Sequence, residues 1–184
     1  MDDKRLIKTS KYLSRHLRHQ PERLGLTLEP GGWVRVSDLL DACAAQGFAL
    51  SAEGLREVVA RNDKRRLSFD DTGVRIRANQ GHSVDVDLEL VATAPPELLF
   101  HGTGAGNVEA IMRGGLQRRR RHHVHLSADR ETARRVGARH GRPVVFDVAA
   151  GRMHVDGHPF FVSDNGVWLT DEVPPAYLDA RESA

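Results

Sequence analysis

Residues 118–127 read RRRRHHVHLS, four arginines followed by paired histidines and a third histidine two places on. Guanidinium groups grip phosphate oxygens in a fixed fork, and imidazoles titrate near neutrality. The stretch could therefore be a solvated basic run, a metal cluster or a phosphate-handling site. His123 and His125 stand two apart in a strand-like run, so they share a face and could together hold a metal. Zinc takes three or four ligands, and neither a cysteine cluster nor a Glu-x-x-His partner supplies the rest, so no metal is expected. No GxSxG elbow is present, which leaves a serine hydrolase without support.

Charge concentrates around the same stretch. Residues 113–142 carry ten arginines against Asp129 and Glu131, whereas residues 1–112 balance to −1 and residues 143–184 to −5 within a total of +2. A local block of +8 made of arginine without lysine fits a polyanionic ligand such as nucleic acid, a dinucleotide or phosphate. The single cysteine, Cys43, cannot form an internal disulfide, and a reducing, cytoplasmic setting is expected. The first twenty residues are charged throughout and no run approaches the ~20 apolar residues of a membrane span. A soluble monomer is expected.

The elements that must position these residues divide at TAPPE, residues 93–97, so one unit is expected over 1–94 and another over 95–184. In the first, Leu6, Leu13 and Leu17 recur on one helical face, and Pro21 ends that helix. Ser37 is expected to cap a second helix running to about Ala45, and Ser51 a third with Leu55, Val58 and Val59 inward. RRLSF, DDTG and VRIRA then read as a β-hairpin. Alternation puts Leu67, Phe69, Val74 and Ile76 on its apolar side and Arg66 on a polar side with Arg75 and Arg77 nearby. Three short helices and a hairpin is the order of a winged-helix module, although many small units share it.

In the second unit, ELLFHGTGAGNVEAIMRGG reads as strand, loop and helix, with Val108, Ile111 and Met112 forming the helical stripe. GTGAGN is no dinucleotide fingerprint, because Asn107 stands where the third glycine is required. HVHLS reads as a strand, with Ser127 expected to cap the helix that follows. PVVFDV and NGVWLT are further strands. The fold class expected is α+β.

Six stretches bring a resemblance. LSRHLRHQPE (13–22), DKRR (63–66), RANQGHS (77–83), FHGT (100–103), RHHVHLS (121–127) and SDNGVWLT (163–170) follow one another as in the RNA 2′-phosphotransferase family, the KptA-like proteins. The match covers nearly the whole chain. One departure is Leu67, where the family often has an aromatic residue, and it concerns packing.

The resemblance implies an RNA-binding winged-helix lobe followed by an ADP-ribosyltransferase-like split β-sheet lobe that binds NAD, which is consumed as co-substrate. It implies NAD-dependent removal of an internal RNA 2′-phosphate, such as RNA ligation leaves in tRNA splicing. The products are 2′-OH RNA, nicotinamide and ADP-ribose 1″,2″-cyclic phosphate, formed through an RNA-2′-phospho-ADP-ribose intermediate. The family's Arg-His-Arg-Arg set falls on Arg18, His19, Arg66 and Arg121. His101, Gly102 and Thr103 resemble the first NAD-binding motif, with the histidine on ribose and the glycine backbone at nicotinamide. His125 resembles the stacking residue of the second motif, and Ser127 a ribose contact. Val167 stands where many protein-modifying relatives carry a catalytic glutamate, which argues against ordinary protein ADP-ribosylation. Gln80, Gly81 and His82 belong to a matching motif without an assigned role. Two other functions stay open: ADP-ribosylation of terminal phosphates of RNA or DNA, and non-catalytic RNA binding.

Overall fold

The computed structural model describes residues 1–181, and the chain divides into two compact units, the first ending at Glu89 and the second starting at Leu90. The division falls ahead of the expected 94/95 position. Ala92 already bridges to Phe161, and the Thr93 N–H donates to the Phe160 carbonyl, so this segment is tied to the second unit. The architecture is mixed, with six α-helices and small antiparallel sheets among the described residues.

In the first unit, α1 (Asp3–His19) starts at Asp2, whose carboxylate accepts from the Arg5 N–H at 2.7 Å. It buries Leu6, Leu13 and Leu17 and ends where Pro21 opens a 3₁₀ turn. β1 (Trp33–Arg35) leads directly into α2 (Val36–Ala45), and α3 (Ala52–Arg61) follows. Ser51 caps α3, accepting from the Gly54 N–H at 3.0 Å. Ser37 caps nothing. It is the second residue of α2 and donates to Asp38 at 2.9 Å. The start of that helix is set by the sheet instead, because the Val36 N–H donates to the Val74 carbonyl.

β2 (Leu67–Phe69) and β3 (Arg75–Ala78) form the hairpin, and β1 pairs with the other edge of β3, giving the order β1-β3-β2. Leu67, Ile76 and Ala78 enter the core beside Leu13, Leu17, Leu39, Leu55 and Val58. Val74 is exposed, since β3 starts only at Arg75 and Val74 still belongs to the turn. Burial pushes the Cys43 thiol in this core up to about 11.

In the second unit, β4 (Leu99–Gly104), α4 (Val108–Gly114), β5 (Leu116–Gln117), β6 (Val124–Leu126), α5 (Arg130–Gly137) and β7 (Pro143–Val148) follow in turn. α6 (Ala150–Val155), β8 (Phe161–Val162), β9 (Trp168–Thr170), β10 (Glu172–Val173) and β11 (Leu178–Arg181) complete it. One antiparallel sheet runs β11-β7-β4 and another β6-β9-β8, while β10 pairs with β5. Phe100 and Ser127 exchange backbone hydrogen bonds at 2.7 and 2.9 Å, tying the residue after β6 to the start of β4.

The core holds Leu99, Leu126, Val148, Met153 and Phe160. α4 buries none of its residues, and Met112 is exposed, so its expected stripe covers little. Gly102 and Gly104 let helical backbone lie directly on β4, since a Cβ on either would overlap the carbonyl of Ala133 or His140. Among the described residues no helix is long and apolar enough to cross a membrane.

Candidate functional site

Each unit holds its own cluster of arginine and histidine. In the first unit the last turn of α1 supplies Arg18 and His19. His19 Nδ1 lies 2.9 Å from Ser83 Oγ, and the Ser83 N–H donates to the Arg18 carbonyl at 2.9 Å, so the segment after β3 folds over the helix end. A cationic side chain there also suits the negative end of the helix dipole.

Arg66 precedes β2. Its carbonyl accepts from the Asn79 N–H at 3.0 Å and from Arg18 Nη2 at 3.5 Å, linking the two arginines through backbone. Its guanidinium turns towards α1 and the end of α3, donating to Asn62 Oδ1 at 3.2 Å and Ser10 Oγ at 3.4 Å. Asn62 Nδ2 donates to Ser10 Oγ at 2.6 Å, and both residues are buried. Arg75 and Arg77, the expected companions of Arg66, instead flank the Trp33 ring, with Arg77 4.4 Å from its centroid. An indole face on β1 attracts them, whereas Arg66 has polar partners of its own. Arg65 takes a positive φ of 37°, held by Asn79 Nδ2 donating to its carbonyl at 2.7 Å. Leu67 is buried, and His82 is fully buried beside Gly32.

In the second unit, Arg118 to Arg121 line a cavity of about 490 Å³ together with Gln117, His123 and His125. Arg121 Nη1 donates to His125 Nδ1 at 3.1 Å, which leaves the proton of a neutral His125 on Nε2. The backbone carbonyl of the same His125 accepts from His101 Nδ1 at 3.1 Å. His101 therefore turns Nε2, an acceptor in its neutral form, away from that bond. Burial lowers the His101 pKa most, the carbonyl bond opposes this, and the charge of Arg121 lowers it further. His125 thus meets both residues, Arg121 through its ring and His101 through its backbone carbonyl.

Thr103 is buried and accepts from Asn107 Nδ2 at 3.1 Å. Gly102 lies within β4, where the Ala133 carbonyl excludes any side chain. Ser127 does not cap α5. Asp129 does, accepting from the Thr132 N–H at 2.7 Å, because Ser127 is already committed to its pairing with Phe100. Val167 is half-buried, and its backbone closes the Ser163–Val167 turn that leads into β9. His123 departs from His125, lying near Asp171 and 5.4 Å from the Phe161 ring centroid, with burial lowering its pKa. Among the described residues no three His, Cys, Asp or Glu side chains gather as metal ligands.

Sequence reasoning missed two supports. Ser10 occupies a place in the Leu6–Leu13–Leu17 stripe, and a polar residue on an apolar face was the available signal. Arg130, on α5, bonds to the buried Asp147 of β7 and lies 5.2 Å from the Phe100 ring centroid. Cross-strand register pairs Phe100 with Asp147, and α5 brings Arg130 to them.

Comparison with known proteins gives a consistent picture. Residues 4–172 match the family described as RNA 2′-phosphotransferase, Tpt1 / KptA family. A probable RNA 2′-phosphotransferase of Herpetosiphon aurantiacus is 61% identical over 178 residues, covering 97% of this chain and 98% of that protein. Proteins of the same name from Trichormus variabilis and Streptomyces griseus are each 58% identical. They cover 97% and 98% of this chain, and 98% and 100% of their own lengths.

Proposed function

Because this chain belongs to the RNA 2′-phosphotransferase, Tpt1 / KptA family, we propose that it is an enzyme that removes an internal 2′-phosphate from RNA and consumes NAD in doing so. A 2′-phosphate oxygen attacks C1″ of the nicotinamide ribose, and the glycosidic electron pair leaves with nicotinamide. The ribose 2″-hydroxyl then attacks phosphorus, and the RNA 2′-oxygen leaves and gains a proton. ADP-ribose 1″,2″-cyclic phosphate and 2′-OH RNA result.

The observation that carries this proposal is the grouping of Arg121 and His101 on the ring and backbone of His125, beside an arginine-lined cavity. Arginines favour a pyrophosphate, and a neutral imidazole with Nε2 as acceptor suits a ribose hydroxyl. His101, Gly102, Thr103, His125, Ser127 and Val167 are assigned to the NAD side. Arg18, Arg66 and Arg121 are assigned to the transferred phosphate. Held guanidiniums compensate its charge without giving up protons, and their benefit is greatest where charge shifts in the transition state. Arg121 serves the second step, when phosphorus itself is attacked. His19 contacts phosphate or ribose.

The first unit is read as a winged-helix lobe, supported by its order α1-β1-α2-α3-β2-β3 and its β1-β3-β2 sheet. The second is read as an ADP-ribosyltransferase-like lobe, supported by its separate antiparallel sheets. Incubating the protein with a 2′-phosphorylated oligonucleotide, with and without NAD, tests the function. Loss of the 2′-phosphate only with NAD is expected, and retention under both conditions would refute it.

A further inference from the structure

α1 carries a second set of cations that this chemistry leaves unused. Lys4, Lys8, Lys11 and Arg15 are spaced i, i+4, i+7 and i+11, and Arg18 continues the series. At 3.6 residues per turn the five fall within an arc of about 80°, opposite the buried Leu6, Leu13 and Leu17. Lys4, Lys8, Lys11 and Arg15 are exposed, and among the described residues none of their side-chain cations has a hydrogen-bond or ion-pair partner. The acids at the helix start are engaged already, Asp2 capping the Arg5 N–H and Asp3 pairing with Arg61.

Such an arrangement works against the helix. Like charges four apart repel, and Lys4 in the first turn opposes the dipole. A face selected for solubility alone would mix signs. Beside the first two turns lies a cavity of about 620 Å³ lined by Lys4, Arg5, Lys8, Phe48 and Leu50. Aromatic surface next to cations is what a nucleobase and its phosphate need. The Phe48 ring is braced by stacking on Tyr12, with centroids 4.2 Å apart.

We propose that this face of α1 is the track for the RNA strand, leading its backbone to Arg18. The assignment rests on the RNA 2′-phosphotransferase reading for what Arg18 does at the end of the track. From Lys4 to Arg18 the stripe is about 21 Å long, the rise of roughly six stacked nucleotides. Charge complementarity and continuity with Arg18 select a nucleic-acid backbone over other polyanions.

The test uses the full chain with K8E/K11E/R15E, and the neutral K8Q/K11Q/R15Q as a milder counterpart. None of the three residues belongs to the proposed phosphate site. Turnover is measured on a 2′-phosphorylated dinucleotide and on a 2′-phosphorylated RNA long enough to span the stripe. KM for the long RNA should rise about tenfold or more in the charge-reversed variant and less in the neutral one, with dinucleotide kinetics unchanged. Fluorescence anisotropy with unphosphorylated single-stranded RNA reads the track without turnover, and the slope of log affinity against log salt should fall by about 2.

If the wild type binds RNA through the stripe yet turns over neither substrate, the track stands and the phosphotransferase reading fails. Unchanged long-RNA KM and unchanged anisotropy would overturn the track. So would equal losses on both substrates, or a variant that loses binding to phosphatidylserine vesicles while its RNA affinity stays that of the wild type.

Discussion

Arg121 Nη1 donates to His125 Nδ1 at 3.1 Å, so the last arginine of the RRRR run is tied to the third histidine after it. That bond distinguishes Arg121 from Arg118, Arg119 and Arg120, which share the cavity wall. Replacing Arg121 with alanine should slow turnover roughly 10²–10³-fold, the usual cost of removing a donor that acts in the transition state. The second step should suffer most, so RNA-2′-phospho-ADP-ribose should accumulate on a gel. Arg119→Ala should keep kcat and raise KM modestly.

His101 titrates below its ordinary value because of burial first, with Arg121 adding to the effect. The unfolded chain then binds a proton at higher pH than the native one. Stability from this group is full above the unfolded pKa of about 6.5 and is lost as pH falls through the lower native value. An NMR titration should show the His101 midpoint below 6.5, and Arg121→Ala should move it upward.

Asn62 and Ser10 hold the Arg66 guanidinium without belonging to the proposed reaction. Asn62→Ala should cut kcat/KM for RNA about tenfold while leaving KM for NAD unchanged, and lower stability by about 1–3 kcal/mol through the polar groups left unpaired. Steady-state kinetics with each substrate varied, together with thermal unfolding, checks both.

Much of this arrangement was legible in the sequence, and the rest failed for identifiable reasons. The period of Leu6, Leu13 and Leu17 located α1, and Ser51 marked a true cap. Ser37 and Ser127 looked equally suitable, but tertiary pairing decided both positions: Val36 is anchored to Val74, and Ser127 is paired with Phe100. β1 is three residues long beside Gly31 and Gly32 and exists because β3 offers an edge, which no local pattern announces. The candidate arginines are visible as a motif, but the anchor of Arg66 is not, and the Arg130–Asp147 pair carries no sequence signal: both depend on how distant segments meet.

Gly102→Ala should abolish soluble expression or lower Tm sharply. Its Cβ would overlap the Ala133 carbonyl, and neither β4 nor α5 backbone can yield cheaply. Gly106→Ala, where a Cβ meets open space, is the matched control.

Acid should loosen the hairpin. Burial alone would raise the Asp70 pKa, yet hydrogen bonds from the Arg75 backbone and side chain and from Thr72 hold it at about 2. Its contribution is therefore full above the ordinary value of about 3.9 and disappears as pH falls towards 2. Asp70→Asn should flatten that part of the stability–pH curve, measured by urea unfolding between pH 2 and pH 5.

The fate of the phosphorus atom tests the central claim most directly. An oligonucleotide carrying a radiolabelled internal 2′-phosphate is incubated with the protein and NAD, and the labelled products are separated. The account predicts that the label moves into ADP-ribose 1″,2″-cyclic phosphate as nicotinamide is released. Label released as inorganic phosphate, or removed equally well without NAD, would contradict it.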